Sequence, residues 1–224
     1  MILIKKIATL LYRFFLMGIG VSISNCIVWF SRIAVIKGNH VYLNSGFFLH
    51  SKVDINGTNN CLINNGYLRK VSIKITGTDN IIEFEDVKID AAHIVLRGDR
   101  CHIIIRKGTT VGSMYMVCMG KNNSIDIGEN CMIAENVDIW NTDSHPIYNE
   151  QGTIINKSKK IVVGKHVWLG KGSRILKGVT IGDNAVVGMG ALVTKNIPPS
   201  SLNAGTPTRI IKSNINWDRN FIRI

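Results

Sequence analysis

The sequence of 224 residues contains no CxxC pair and no secretory cleavage pattern, and its five cysteines, Cys26, Cys61, Cys101, Cys118 and Cys131, stand singly. That spacing argues against a zinc site or a disulfide framework and fits a reducing cytoplasm; Cys61 and Cys101 fall at similar places in the repeats described below and are expected to pack there as small apolar thiols. Acids are scarce, 15 against 27 Lys and Arg, for a net charge of +12. Residues 157–224 hold twelve basic side chains against only Asp183 and Asp218, a balance of +10, so this end should meet something anionic. Aromatic residues, at 7%, are few, and no nucleic-acid motif accompanies the charge. A phosphate-bearing cofactor or an acidic substrate therefore fits better than nucleic acid.

A clean membrane-spanning run is also missing. Phe14–Ser31 is uncharged for eighteen residues, but Gly18, Gly20, Ser22, Ser24 and Asn25 dilute it, and Arg13 breaks what would be a signal-peptide core. Residues 1–36 contain no acid. They are expected to form a helical cap over the open end of the fold, or a membrane-surface segment held by Lys5, Lys6 and Arg13 near anionic lipid without crossing it.

What the chain does have is a repeat. From Val163 to Val193 an aliphatic residue returns every sixth position: Val163, Leu169, Ile175, Ile181, Val187, Val193. Six is a multiple of the strand period of two, so each ladder side chain can point into a coil of short strands. Gly164, Gly170, Gly182 and Gly188 follow the ladder residue where the chain must turn. Three hexads make a triangular coil, and only stacking buries the ladder continuously. The fold class expected is all-β, a parallel β-helix. Upstream, the strings GTNNCLI, GTDNIIE, GDRCHII and GKNNSID, beginning at Gly57, Gly77, Gly98 and Gly120, mark longer coils spaced by 20, 21 and 22 residues. The β-helix is placed at 37–198. The tail is placed at 199–224, where Pro198-Pro199 stops the strands, and from Asn203 it is expected to fold back as an extended segment and a short helix.

Strict hexads begin at Ile127, Ile133 and Ile139 and then fail, because the next positions are His145, Gln151 and Lys157. Val163 lies 24 residues beyond Ile139, a whole number of hexads, so register can resume. Residues 141–160 therefore read as a polar loop leaving the coil, and loops on rigid scaffolds are where chemistry concentrates.

The string Trp140-Asn-Thr-Asp-Ser-His145-Pro resembles the loop bearing the catalytic histidine in hexapeptide-repeat O-acetyltransferases, a family that includes galactoside, maltose, capsule and sialic-acid O-acetyltransferases. The separation of His145 from Trp168, the following VWLGKG, and VTKNIPP and AGTPTRIIK downstream carry the same resemblance, which covers about residues 105–215. It implies a left-handed β-helix, a homotrimer, acetyl-coenzyme A as donor and no metal. A sugar hydroxyl attacks a thioester poorly unless a base removes its proton, and an imidazole is mostly neutral at pH 7. The resemblance gives that role to His145 in direct transfer from a ternary complex. Asp143 and Ser144 lie close enough to orient the ring, although a backbone carbonyl could do so equally well and both also suit simple turn chemistry.

By the same resemblance Trp168 lies against the donor's pantetheine arm, while Lys171, Thr194, Lys195, Arg209 and Lys212 meet its nucleotide and phosphates. Two departures point to a larger glycan than a free galactoside, in capsule, O-antigen or related polysaccharide synthesis. Gly112-Ser-Met-Tyr115 lacks the asparagine that galactoside-type relatives use for the acceptor, and the N-terminal helices of maltose-type relatives are not recognisable. The excess positive charge points to an acidic glycan, and the expected location is the cytoplasm, either free or peripheral at the inner face of its membrane. N-acetylation of an amino sugar, or a β-helix scaffold without catalysis, are the alternatives. A γ-carbonic anhydrase would need three zinc histidines that His145 and His166 do not supply.

Overall fold

In the computed structural model, which describes residues 20–222, alternating apolar and polar residues wind into a parallel β-helix made of strands. One coil is Cys61–Asn64, Tyr67–Arg69 and Val71–Thr78; the next is Ile81–Phe84, Lys88–Ile89 and Ala92–Asp99. They stack in register, with Leu62 opposite Ile82, Leu68 opposite Ile89 and Ile73 opposite Ile94, all buried. One face is an eight-stranded sheet holding one strand from each of eight coils. The other two faces join as one sheet because His40–Leu49 bends through a corner at Gly46 and pairs with strands on both sides.

The four glycines of the longer repeat stack as the spacing predicts: Gly57 pairs with Gly77, Gly77 with Gly98, and Gly98 with Gly120. All four have positive φ, and a Cβ at Gly77 would lie 1.9 Å from the Gly98 carbonyl oxygen. Beside them runs a buried amide ladder. Asn60 Nδ2 donates to Asn39 Oδ1 at 2.9 Å and to the Gly77 carbonyl at 2.9 Å; Asn80 Nδ2 donates to Asn60 Oδ1 at 2.8 Å and to the Gly98 carbonyl at 2.7 Å. Cys101 takes the next rung, its thiol reaching the Gly120 carbonyl at 3.2 Å. Cys61 does not occupy an equivalent place; it stands one residue after Asn60 and is half-buried on the outside of the corner.

The ladder residues from Ile127 to Val193 are buried. Ile127 pairs with Val163, Ile133 with Leu169 and Ile139 with Ile175, each 36 positions apart, whereas Val163 and Ile181 pair at 18. The loop thus adds eighteen residues to one coil and leaves the register intact.

Two expectations need correction. Val21–Trp29 and Arg32–Val35 are strands of a first coil, paired with His40–Leu49 and Lys52–Thr58, so the β-helix begins well before residue 37. Val21, Ile23, Cys26 and Val28 point inward and Ser22, Ser24 and Asn25 outward, an alternation that a helix would have scrambled. Residues 1–19, the rest of the expected cap or membrane-surface segment, lie outside the described residues. At the other end, Ser201–Ala204 adds to the stack beside Val186–Val187, and Arg209–Ser213 returns antiparallel to it where a short helix was expected. Ile210 and Ile211 are β-branched, which suits this edge strand better than a helical turn.

Candidate active site

The loop at 141–160 is tied at its base by a buried asparagine. Asn141 accepts the Met119 N–H at 2.7 Å, donates to the Met119 carbonyl at 3.2 Å, and receives the Lys159 N–H on its own carbonyl at 3.0 Å. Within the loop, Tyr148 and Ile154 form an antiparallel bridge, and Ile155 N–H donates to the Ile147 carbonyl at 2.9 Å. Asn156 is the hub. Its Nδ2 donates to Asp143 Oδ2 at 2.9 Å and to the His145 carbonyl at 2.8 Å, and its Oδ1 accepts the Ile147 N–H at 2.7 Å.

Lys177, from the following coil, completes the arrangement. Its ammonium pairs with the Asp143 carboxylate and donates to the Asn156 carbonyl at 3.0 Å. The Lys177 hydrogen bond, helped by the Asn156 amide and the lysine charge, holds the Asp143 carboxyl below its ordinary range against a smaller opposing effect of burial. The carboxylate contacts of Asp143 are therefore with Lys177 and Asn156. Its backbone carbonyl accepts the His145 N–H at 2.7 Å, and Ser144, at φ 65°, donates its N–H to Thr142 Oγ1 at 3.0 Å. Neither side chain makes a hydrogen bond to the imidazole. What fixes His145 is the backbone on either side of it.

His145 is exposed at the wall of a cleft of about 520 Å³ between the loop and the preceding Gly120–Asn123 turn. Lys121, Asn123, Thr142, Ser144, Pro146, Ile154, Asn156, Lys157 and Ser158 complete the lining, and no carboxylate is among them.

Trp168 stands on a different face. It pairs with Met132 and Val186, is 37% exposed, and lies 5.8 Å from the ring of Trp217. Trp217 stacks on His166 at 4.2 Å and donates its indole N–H to the His166 carbonyl at 2.9 Å. Farther along this tail, Arg219 donates to Thr110 Oγ1 at 2.6 Å and to the Cys131 carbonyl at 2.8 Å. Trp168, Val186, Leu202 and Lys212 follow one another across the sheet, with Arg209 opposite Ala204 beside them. Lys171 pairs with Glu135 at 2.8 Å, a contact that holds the Glu135 carboxyl below its ordinary value. Thr194 and Lys195 follow Val193, the partner of Ile175, and so share the corner of Lys177.

The residues expected to hold the donor thus divide between two corners of one chain: Trp168, Lys171, Arg209 and Lys212 on one, Thr194 and Lys195 on the other with the His145 loop. Sequence reasoning missed Asn156 and Lys177. The count could have found the lysine, since Ile139 and Ile175 share a rung and Lys177 lies two positions on, beside Asn141. Nothing in sequence separates Asn156 from other loop polar residues. Among the described residues no group of three or more His, Cys, Asp and Glu could hold a metal ion, and no helix is long and apolar enough to cross a membrane.

Residues 160–195 match the family described as Bacterial transferase hexapeptide (six repeats). The chain is 36% identical to the polysialic acid O-acetyltransferase of Escherichia coli O1:K1 / APEC over 133 residues, 59% of this chain and 42% of that protein. The match thus spans less than half the length of that relative. Two solved structures are similar over most of both chains. The polySia specific acetyltransferase NeuO superposes with a TM-score of 0.71 at 30% identity, covering 90% of this chain and 88% of that one. The polysialic acid O-acetyltransferase OatWY superposes with a TM-score of 0.68 at 31% identity, covering 91% and 89%.

Proposed function

Because this chain belongs to the hexapeptide-repeat O-acetyltransferase family, we propose that it transfers acetyl from acetyl-coenzyme A to a hydroxyl of a glycan, with His145 as general base. The observation that carries this reading is the His145 loop itself. An eighteen-residue excursion leaves an otherwise unbroken ladder and is cross-tied by Asn156 and Lys177 so that one imidazole stands at the wall of a cleft.

The chemistry is direct transfer. The sugar hydroxyl oxygen attacks the thioester carbonyl while the imidazole takes its proton; the C–O bond forms, the C–S bond breaks, and the imidazolium returns the proton to the departing thiolate. Asp143 does not relay charge in this scheme. It acts with Lys177 and Asn156 as a tether that holds the loop backbone, and through it the ring, in place.

The donor lies along the Trp168 face. Its arm passes the exposed indole of Trp168, and its phosphates meet Arg209 and Lys212 on the last strand of the same sheet. In a single chain that face and the His145 loop are separate. A homotrimer brings the loop of one copy to the Trp168 face of the next, and the exposed Leu176, Met189, Ile210 and Ile211 provide apolar surface for such contacts. The excess of cations suits work at the inner face of the cytoplasmic membrane, where acidic lipid lies.

His145→Ala should lower kcat by roughly 10²- to 10⁴-fold, the usual contribution of a positioned base. Turnover close to that of the parent protein would remove His145 from the mechanism.

A further inference from the structure

The cleft beside His145 carries charge that the transfer chemistry does not use. Lys121 ends the strand Met114–Lys121 of the preceding coil and Lys157 comes from the far limb of the loop, so the two ammonium groups line one space from different segments. No ion pair links either to an acid among the described residues, whereas Lys52, Arg69, Arg106, Lys165, Lys171 and Lys177 all face carboxylates. The acid nearest in sequence to His145, Asp143, is neutralised by Lys177. Two unpaired cations in an acid-free cleft raise the local potential, which favours an anionic ligand over a neutral one.

The rest of the lining fixes the kind of anion. Asn123, Thr142 and Ser158 offer short neutral donors and acceptors for hydroxyl groups, and Pro146 with Ile154 offers an apolar surface for the C–H face of a ring. A volume of about 520 Å³ lies within the range of pockets that enclose small ligands.

We propose that Lys121 and Lys157 form a carboxylate-reading subsite for an acidic sugar of the acceptor, seated in the cleft so that a neighbouring hydroxyl faces His145. The inference rests on the acetyltransferase reading for the word acceptor, but the binding it describes does not need catalysis. The two lysines act as specificity residues. They hold the acid group, and they take no part in moving the proton.

The test uses the full chain without donor and measures binding of two probes at low ionic strength: an oligomer of sialic acid, and the same oligomer with its carboxyl groups reduced to alcohols. The acidic oligomer should bind at least about tenfold more tightly, an advantage that shrinks with salt as exposed charges are screened. In the double variant Lys121→Gln, Lys157→Gln the acidic oligomer should fall to the affinity of the reduced one, which itself should not change. Equal binding of the two probes to the parent protein, parent-like binding of the acidic oligomer to the double variant, or binding of neither probe overturns the subsite. Acetyl transfer is then assayed separately with the parent protein. Acid-selective binding without transfer would leave the subsite standing and overturn the enzymatic reading; transfer to both oligomers with equal KM would do the reverse.

Discussion

At His145 the decisive contacts are made by the backbone and by residues that never touch the ring. Asn156 grips the His145 carbonyl and the Asp143 carboxylate together, and Lys177 locks both to the next coil. Because the Asp143 carboxyl is held below its unfolded value, the tether is fully present above the ordinary aspartate range near pH 4 and is lost as pH falls through the lower folded value. Limited proteolysis of the loop should therefore show resistance in the parent protein that disappears only in strong acid. Lys177→Met should be cleaved readily at neutral pH, with little further change on acidification. A variant as resistant as its parent would show that the loop is held by something else. Of this cluster the sequence displayed His145, where the ladder broke. Lys177 lay within reach of a count of rungs, two positions beyond Ile175, the partner of Ile139, whereas Asn156 stayed hidden because neither residue type nor spacing sets it apart from the other polar residues of the loop.

Among the strands, the ladder from Ile127 to Val193 could be read by counting, since a six-residue period must return each side chain to the same face. The longer coils were readable through their glycines, and the reason is steric: each carbonyl in the stack occupies the space a Cβ would need. Gly77→Ala should lower stability by more than about 1 kcal/mol, because φ is +112° and the added carbon would lie 1.9 Å from the Gly98 oxygen. A denaturation midpoint equal to that of the parent protein would contradict this. The first coil was harder to see. Val21–Trp29 is as uncharged and apolar as a helix of the same length would be, and its inward and outward positions slip out of strict alternation between Ser24 and Cys26. The terminal hairpin was missed for a related reason: Arg209–Ser213 is exposed throughout, so no burial pattern marks it as a strand.

The described residues form a column with the candidate chemistry on one corner and the candidate donor surface on another. That separation makes assembly part of the functional account. Light scattering should give a mass three times the 24.8 kDa of the chain, and Ile210→Asp with Ile211→Asp should weaken the assembly; a monomer that turns over at full rate would contradict the shared site. The central claim is ester formation on a glycan, and the linkage in the product tests it most directly. Labelled acetyl-coenzyme A is incubated with the protein and an acidic oligosaccharide, and the recovered glycan is treated with mild base. The account predicts label on the glycan that mild base releases as acetate. Base-stable label would make the product an amide, and hydrolysis of the thioester with no label on any glycan would contradict transfer altogether.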